Sequence, residues 1–200
     1  MKLHHSPESQ YVRKVMACAI EMGIADKLDL LKNKEDLDKH NPLLKRPVLI
    51  TDDGDPICDS PVICAYLDSV AGGGKVIPKS GRERWRALSE EGVADGAMES
   101  VTAIRHDRQY HAGHESQDIY NRHILKINQT LDACEEKAVA GEFKDRVDIG
   151  TITIAVMCAY FDFRLPDLGW RNTRPTLADW YEEFSKRPSI EKTRTRPRDE

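Results

Sequence analysis

The sequence predicts a two-part chain: an α/β amino-terminal domain followed by an all-helical carboxy-terminal domain. Three observations carry this. Within residues 41–68, NPLLKRPVLITDDGDPICDSPVICAYLD, two short apolar runs are joined by an Asp53-Gly54 hairpin signal and lead directly into a helix start. Three consecutive glycines, Gly72-Gly73-Gly74, break the pattern immediately afterwards. Beyond them the apolar residues recur at helical spacing.

Taken in order, residues 1–5 form a candidate first strand, although His4 and His5 are poor strand formers. In QYVRKVMACAIEMG, residues 10–23, Val12, Val15, Met16, Ala19 and Ile20 share one helical face, and Gly23 offers a stop. KLDLL at 27–31 is a candidate second strand, and the charged KNKEDLDKH after it reads as a surface helix or loop. Arg46-Pro47 leads into Val48-Leu49-Ile50-Thr51, and Pro56-Ile57-Cys58 returns as the partner strand. At Asp59-Ser60-Pro61 a helix opens, with serine able to cap its free N–H groups and proline at its first position. The order β-α-β-α-β-β-α is common to several small α/β layouts, and pattern alone does not choose among them.

Ala71-Gly72-Gly73-Gly74, continuing to Pro78 and Gly81, reads as a flexible linker. This divides the chain into a first domain at 1–74, a linker at 75–82 and a helical domain at 83–188. In the latter, residues 83–108 place Leu88, Ala94, Met98, Val101 and Ile104 near one face, with Gly96 as an irregularity. Residues 116–140 carry a stripe of Tyr120, Ile124, Ile127, Leu131, Cys134 and Ala138, ended by Gly141. Asp148 is an expected N-cap, flanked by Val147 and Ile152 as a hydrophobic staple. The helix after it, ITIAVMCAYFDF, has almost no polar face and is too short for a bilayer, so protein must surround it. Leu177, Trp180, Tyr181 and Phe184 outline a last helix ending near Arg187-Pro188, and residues 189–200 read as a charged, disordered tail.

Charged residues make up 32% of the chain against an average of about 25%, which fits a soluble protein with a well-solvated surface. A net charge of −4 argues against a nucleic-acid partner. No apolar run is long enough to span a membrane, and MKLHHSPES lacks a secretory signal, so a cytoplasmic location is expected. The five cysteines, Cys18, Cys58, Cys64, Cys134 and Cys158, form no C-x-x-C pair and read as reduced thiols. The histidines 106, 111, 114 and 123 lack fixed ligand spacing, so a solvated helix end is expected there and no metal.

The ordered stretch NPLxKxPVLxTDDGxPICDSPVICxYLD resembles the glutathione-binding half of the cytosolic glutathione transferases, the bacterial serine-type members in particular. The capped start at Asp148 is similar to that family's central helix and carries the resemblance past the linker. It implies a thioredoxin-like first domain, the glutathione transferase architecture, a homodimer, and a site between the domains. It further implies that Pro47 is cis, that Arg46 and Pro47 supply the contact to the cysteinyl part of glutathione, and that Asp59 and Ser60 hold its γ-glutamyl end. Aligning SPESQYVRKV with the family pattern puts Ser9 at the catalytic serine. Tyr11, Met98 and Arg105 are the expected lining of the cavity for a small electrophilic second substrate.

The chemistry of that assignment is simple. Both ends of the Ser6-Pro7-Glu8-Ser9 window are serine, where thiol-disulfide enzymes carry cysteine, so redox exchange through a protein disulfide is disfavoured. A free thiol ionises near ~8.5, and a helix N-terminus with a hydroxyl donor favours the thiolate. Glutathione, as cosubstrate, would then supply the nucleophile. Read locally, Ser9 is a plain N-cap and Pro47 an ordinary trans proline. Gln10, Leu44, Arg46 and Ala65 depart from the family pattern, and Leu44 stands where glycine is common. The expected function is a glutathione transferase. The alternatives are a non-catalytic binding or regulatory module of the same fold, or another glutathione-dependent enzyme such as an isomerase, peroxidase or dehalogenase.

Overall fold

The computed structural model describes residues 1–32 and 36–195. Four strands, β1 (Lys2–His4), β2 (Asp29–Leu31), β3 (Val48–Ile50) and β4 (Pro56–Cys58), form one sheet in the order β2-β1-β3-β4. β1 and β2 are parallel and β3 is antiparallel to both of its neighbours. β1 is central and buried, which explains how a strand ending in histidine is tolerated. His4 is fully buried, and its Nε2 lies 3.0 Å from Nδ1 of His40, the last residue of α2 (Leu37–His40). α2 occupies the end of the charged segment after β2, of which residues 33–35 lie outside the described residues. The mixed sheet with its helices is a thioredoxin-like domain, and the rest of the chain is helical.

α1 (Gln10–Glu21) and α3 (Ser60–Val70) pack on each other, with Val15, Cys18, Ile63, Cys64 and Leu67 in the core. The glycine run does not behave as a loose linker. Asp68 of α3 accepts hydrogen bonds from the backbone N–H groups of Gly74 (2.7 Å), Lys75 (2.9 Å) and Val76 (2.8 Å), so one carboxylate holds the crossover. Val76 and Ile77 are buried, and the Val76 carbonyl accepts from Ile149 N–H.

The helical half comprises α4 (Gly81–Tyr110), α5 (Gln117–Val139), α6 (Ile149–Arg164), α7 (Trp170–Thr173), α8 (Pro175–Ser185) and α9 (Pro188–Glu191). α4 runs through Gly96 without a break. α6 is the buried axis, contacting α1, α4 and α8, and one apolar core extends from Leu3 and Val15 to Ile154 and Leu177. Its start is a reciprocal capping box: the Asp148 carboxylate accepts from Thr151 N–H at 3.1 Å, and Thr151 Oγ1 accepts from Asp148 N–H at 3.0 Å. The crossing with α4 is tight at Gly150, where an added Cβ would lie 2.7 Å from Glu90 Oε2 and 2.9 Å from the Ala87 carbonyl oxygen. Among the described residues no single helix is long and apolar enough to cross a membrane.

The carboxy-terminal boundary differs from expectation. The sequence predicts a disordered tail after Pro188, yet α9 docks on α1 with Ser189 and Ile190 buried. Arg187 bonds both oxygens of Glu21 at 2.9 Å, and Arg13 Nη2 donates to the Ile190 carbonyl at 3.1 Å. A charged composition hid two inward-facing residues. The remainder of that expectation, residues 196–200, lies outside the described residues.

Candidate functional site

Sheet topology decides where the predicted residues meet. Leu3 pairs with Leu49 and Val48 with Cys58. The chain leaving β1 toward Ser9, the chain entering β3 through Arg46-Pro47, and the chain leaving β4 into Asp59-Ser60 therefore all lie at one end of the sheet. Residues 9, 46, 47, 59 and 60, far apart in sequence, are collected there by three short strands.

The Arg46–Pro47 peptide is cis. Pro47 is buried and Arg46 half-buried. Two non-glycine residues with left-handed φ flank this hairpin, Leu44 at 55° and Asp59 at 72°. Such backbone costs free energy and concentrates at functional sites.

Ser9 is the N-cap of α1, its Oγ accepting from Val12 N–H at 3.3 Å. That contact occupies a lone pair and leaves the hydroxyl hydrogen free to donate. At α3 the expectation changes in detail. Asp59, not Ser60, is the cap, with Oδ1 accepting from Ser60 N–H at 2.8 Å. Ser60 is the first helical residue and fully buried, and its Oγ has no hydrogen-bond partner. An orphan hydroxyl beside a carboxylate at a helix start suits an amino-acid head group. The ammonium would face Asp59 and the carboxylate the hydroxyl and helix dipole.

The wall opposite is α4. Gln10 Nε2 donates to Thr102 Oγ1 at 3.3 Å, and the Tyr11 hydroxyl donates to the Asp95 carbonyl at 3.4 Å. Burial, then the Asp95 charge, push the Tyr11 phenol well above its usual range, so it remains a donor. Tyr11 and Arg105 are both half-buried. Met98 is different: it is fully buried in the core and lines no open surface, because its unbranched side chain packs inward from α4.

Sequence reasoning missed the ionic centre between the halves. Lys14 is fully buried, its Nζ 2.6 Å from Asp95 Oδ2 and 2.9 Å from Glu91 Oε1. Burial alone would lower its pKa, but Asp95 and Glu91 outweigh this and raise it. Burial raises the carboxyls of Glu91 and Asp95 despite Lys14, and the Asp59 charge adds to both. The signal was the Glu91/Asp95 pair four residues apart on α4, which ordinarily marks a solvated face. Also missed was the contact of Arg164, at the end of α6, with Glu8 at 3.3 Å.

A separate cavity of about 340 Å³ lies between α4 and α5, lined by Ile104, Asp107, Arg108, Glu115 and Tyr120 among others, and contains none of the predicted site residues. Among the described residues no three His, Cys, Asp or Glu side chains are placed to hold a metal ion.

Comparison with known proteins gives consistent likenesses. The family models for the glutathione S-transferase N-terminal and C-terminal domains match residues 8–70 and 117–183. An uncharacterized GST-like protein of Escherichia coli K12, YibF, is 34% identical over 197 residues, 96% of this chain and 98% of that protein. A glutathione transferase family member from Pseudomonas fluorescens Pf-5, solved with bound glutathione, superposes with a TM-score of 0.92 at 37% identity, covering 98% of this chain and 99% of that one. A structure with bound S-(propanoic acid)-glutathione, of a family member from the same organism, gives 0.89 at 37% identity, over 98% and 100% of the two chains.

Proposed function

The chain belongs to the glutathione S-transferase family, and from that premise we propose that it is a serine-type glutathione transferase joining the glutathione thiolate to small electrophiles. One observation carries the reading: Ser9, the cis Arg46–Pro47 step and Asp59-Ser60 converge at one end of the sheet. Glutathione extended across that end would put its γ-glutamyl head on Asp59 and Ser60, its cysteinyl backbone beside Arg46-Pro47, and its sulfur at Ser9. Ser9 Oγ–H and the start of α1 would stabilise the thiolate, and a carbon electrophile would enter from the α4 side past Tyr11 and Arg105. The relatives solved with glutathione and with a glutathione thioether support binding and a product-shaped occupant.

A cytoplasmic homodimer acting in detoxification fits this reading. Val62, Trp85 and Val93, on α3 and α4, are all more than half exposed. A second copy is the expected cover.

A second reading, a binding module without turnover, is favoured by the departures from the family pattern at Gln10, Leu44 and Arg46, of which Leu44 holds a left-handed φ of 55°. Conjugation of a chloronitroaromatic separates the two. Turnover that collapses in Ser9→Ala supports the transferase; glutathione binding without turnover supports the module; turnover surviving in Ser9→Ala assigns activation to another group.

A further inference from the structure

We propose that the second substrate carries a carboxylate, held between Arg105 of α4 and Arg164 of α6. This rests on the transferase reading above and names the substrate class of that same site.

The register of α1 on α4 locates Arg105. Lys14 meets Glu91 and Asp95, Tyr11 meets Asp95, and Gln10 meets Thr102, so the two helices run antiparallel. Glu91, Asp95, Met98, Thr102 and Arg105 follow one another by alternating four- and three-residue steps, which keeps them on one stripe. Arg105 is the next position after Thr102. It therefore lies beyond the first residue of α1, over the turn that Ser9 caps.

Arg164 flanks the same turn from α6. Its Nη2 is 3.3 Å from Glu8 Oε2, one residue before Ser9, and its guanidinium carbon is 4.2 Å from the centroid of the Phe163 ring. Stacking on that ring fixes the plane of the fork.

The charges at this turn do not balance. Glu8 is paired with Arg164, whereas Arg105 has no ion-pair or hydrogen-bond partner among the described residues. The Nε atoms of both arginines are buried without an acceptor. Tyr11 is neutral, and Glu99, the other acid near it, is exposed. Two half-buried forks with unused donors, flanking the turn at which the glutathione sulfur would sit, call for a planar anion, and Arg binds a carboxylate through paired hydrogen bonds. A neutral electrophile leaves those donors unsatisfied. A carboxylate next to an incoming thiolate would otherwise repel it, and the net positive charge left at this turn, that of Arg105, offsets that repulsion.

Iodoacetate and iodoacetamide test this, since they share a leaving group and nearly a size. In each case the thiolate sulfur forms the new C–S bond with its electron pair as the C–I bond breaks and iodide departs; the carboxylate or amide is unchanged. The wild type should favour the acid over the amide by about tenfold relative to the uncatalysed ratio, and R105Q and R164Q should each reduce that preference. Calorimetry supplies an arm independent of turnover: S-carboxymethylglutathione should bind about tenfold more tightly than S-carbamoylmethylglutathione, with the gap narrowing in both variants. Equal binding of acid and amide overturns the proposal while leaving the transferase reading intact. So does a loss in the variants that is as large for glutathione itself, which would give the arginines to glutathione's own carboxylates. Absence of any glutathione binding overturns the transferase reading and the proposal with it.

Discussion

The Lys14 ammonium lies 2.6 Å from the Asp95 carboxylate, fully buried where α1 of the sheet domain meets α4 of the helical domain. A pair in that position is costly to break from one side, because the surviving charges keep no partner. Lys14→Met should therefore lose about 3–5 kcal/mol in urea unfolding, as Glu91 and Asp95 are stranded. The triple variant Lys14→Met, Glu91→Leu, Asp95→Leu should recover most of the loss. If Lys14→Met unfolds like the wild type, the triad does not join the halves.

Gly150 is an expected hot spot of the α4–α6 crossing. A methyl group there would overlap Glu90, which is itself held by Arg146 Nη2 and Lys137 Nζ at 2.7 Å each. Gly150→Ala should cost about 1–3 kcal/mol. Gly96, also helical but with open space where a Cβ would project, is the control. Gly96→Ala should stabilise by about 0.5–1 kcal/mol. Thermal unfolding of the two variants should shift in opposite directions.

The clamp on α9 should make stability fall in acid. Burial works to raise the Glu21 carboxyl, but hydrogen bonds from Arg187 and Ser189 outweigh it and hold the carboxyl below its ordinary value of 4.5. A group depressed in the folded state contributes stability above its unfolded pKa and loses it as pH falls through the folded one. The difference in melting temperature between wild type and Glu21→Gln should thus be full near neutral pH and shrink below 4.5. A gap independent of pH would exclude this clamp as an acid-sensitive element.

Leu44 holds a left-handed φ of 55° with its side chain exposed. A leucine there is strained by about 1–2 kcal/mol, while glycine returns part of that through a freer unfolded chain. Leu44→Gly should stabilise the isolated chain by up to about 1 kcal/mol in calorimetric melts. A clear loss would mean that Leu44 packs against something, a second copy being the first candidate.

Much of the frame was legible because local chemistry and tertiary placement agree. Asp53-Gly54 makes the hairpin, Asp148 caps α6, and an all-apolar helix can only be central. What stayed hidden depended on partners distant in sequence. Nothing local marks Lys14 as buried, because its partners Glu91 and Asp95 stand on α4. Ser60 reads as a cap, yet Asp59 takes that task and leaves its hydroxyl free. The glycines read as slack because nothing local says that Asp68 gathers four of the N–H groups that follow. Arg164 and Glu8 are separated by almost the whole chain.

Titrating glutathione into the wild type and Ser60→Ala, followed by calorimetry, tests the site most directly. Ser60 Oγ bonds nothing within the protein, so its removal strands no partner and the fold should persist. The wild type should give saturable binding at one site per chain, and Ser60→Ala should bind about tenfold more weakly. No saturable heat with the wild type, or equal affinity in the two proteins, would contradict a glutathione head group seated at the start of α3.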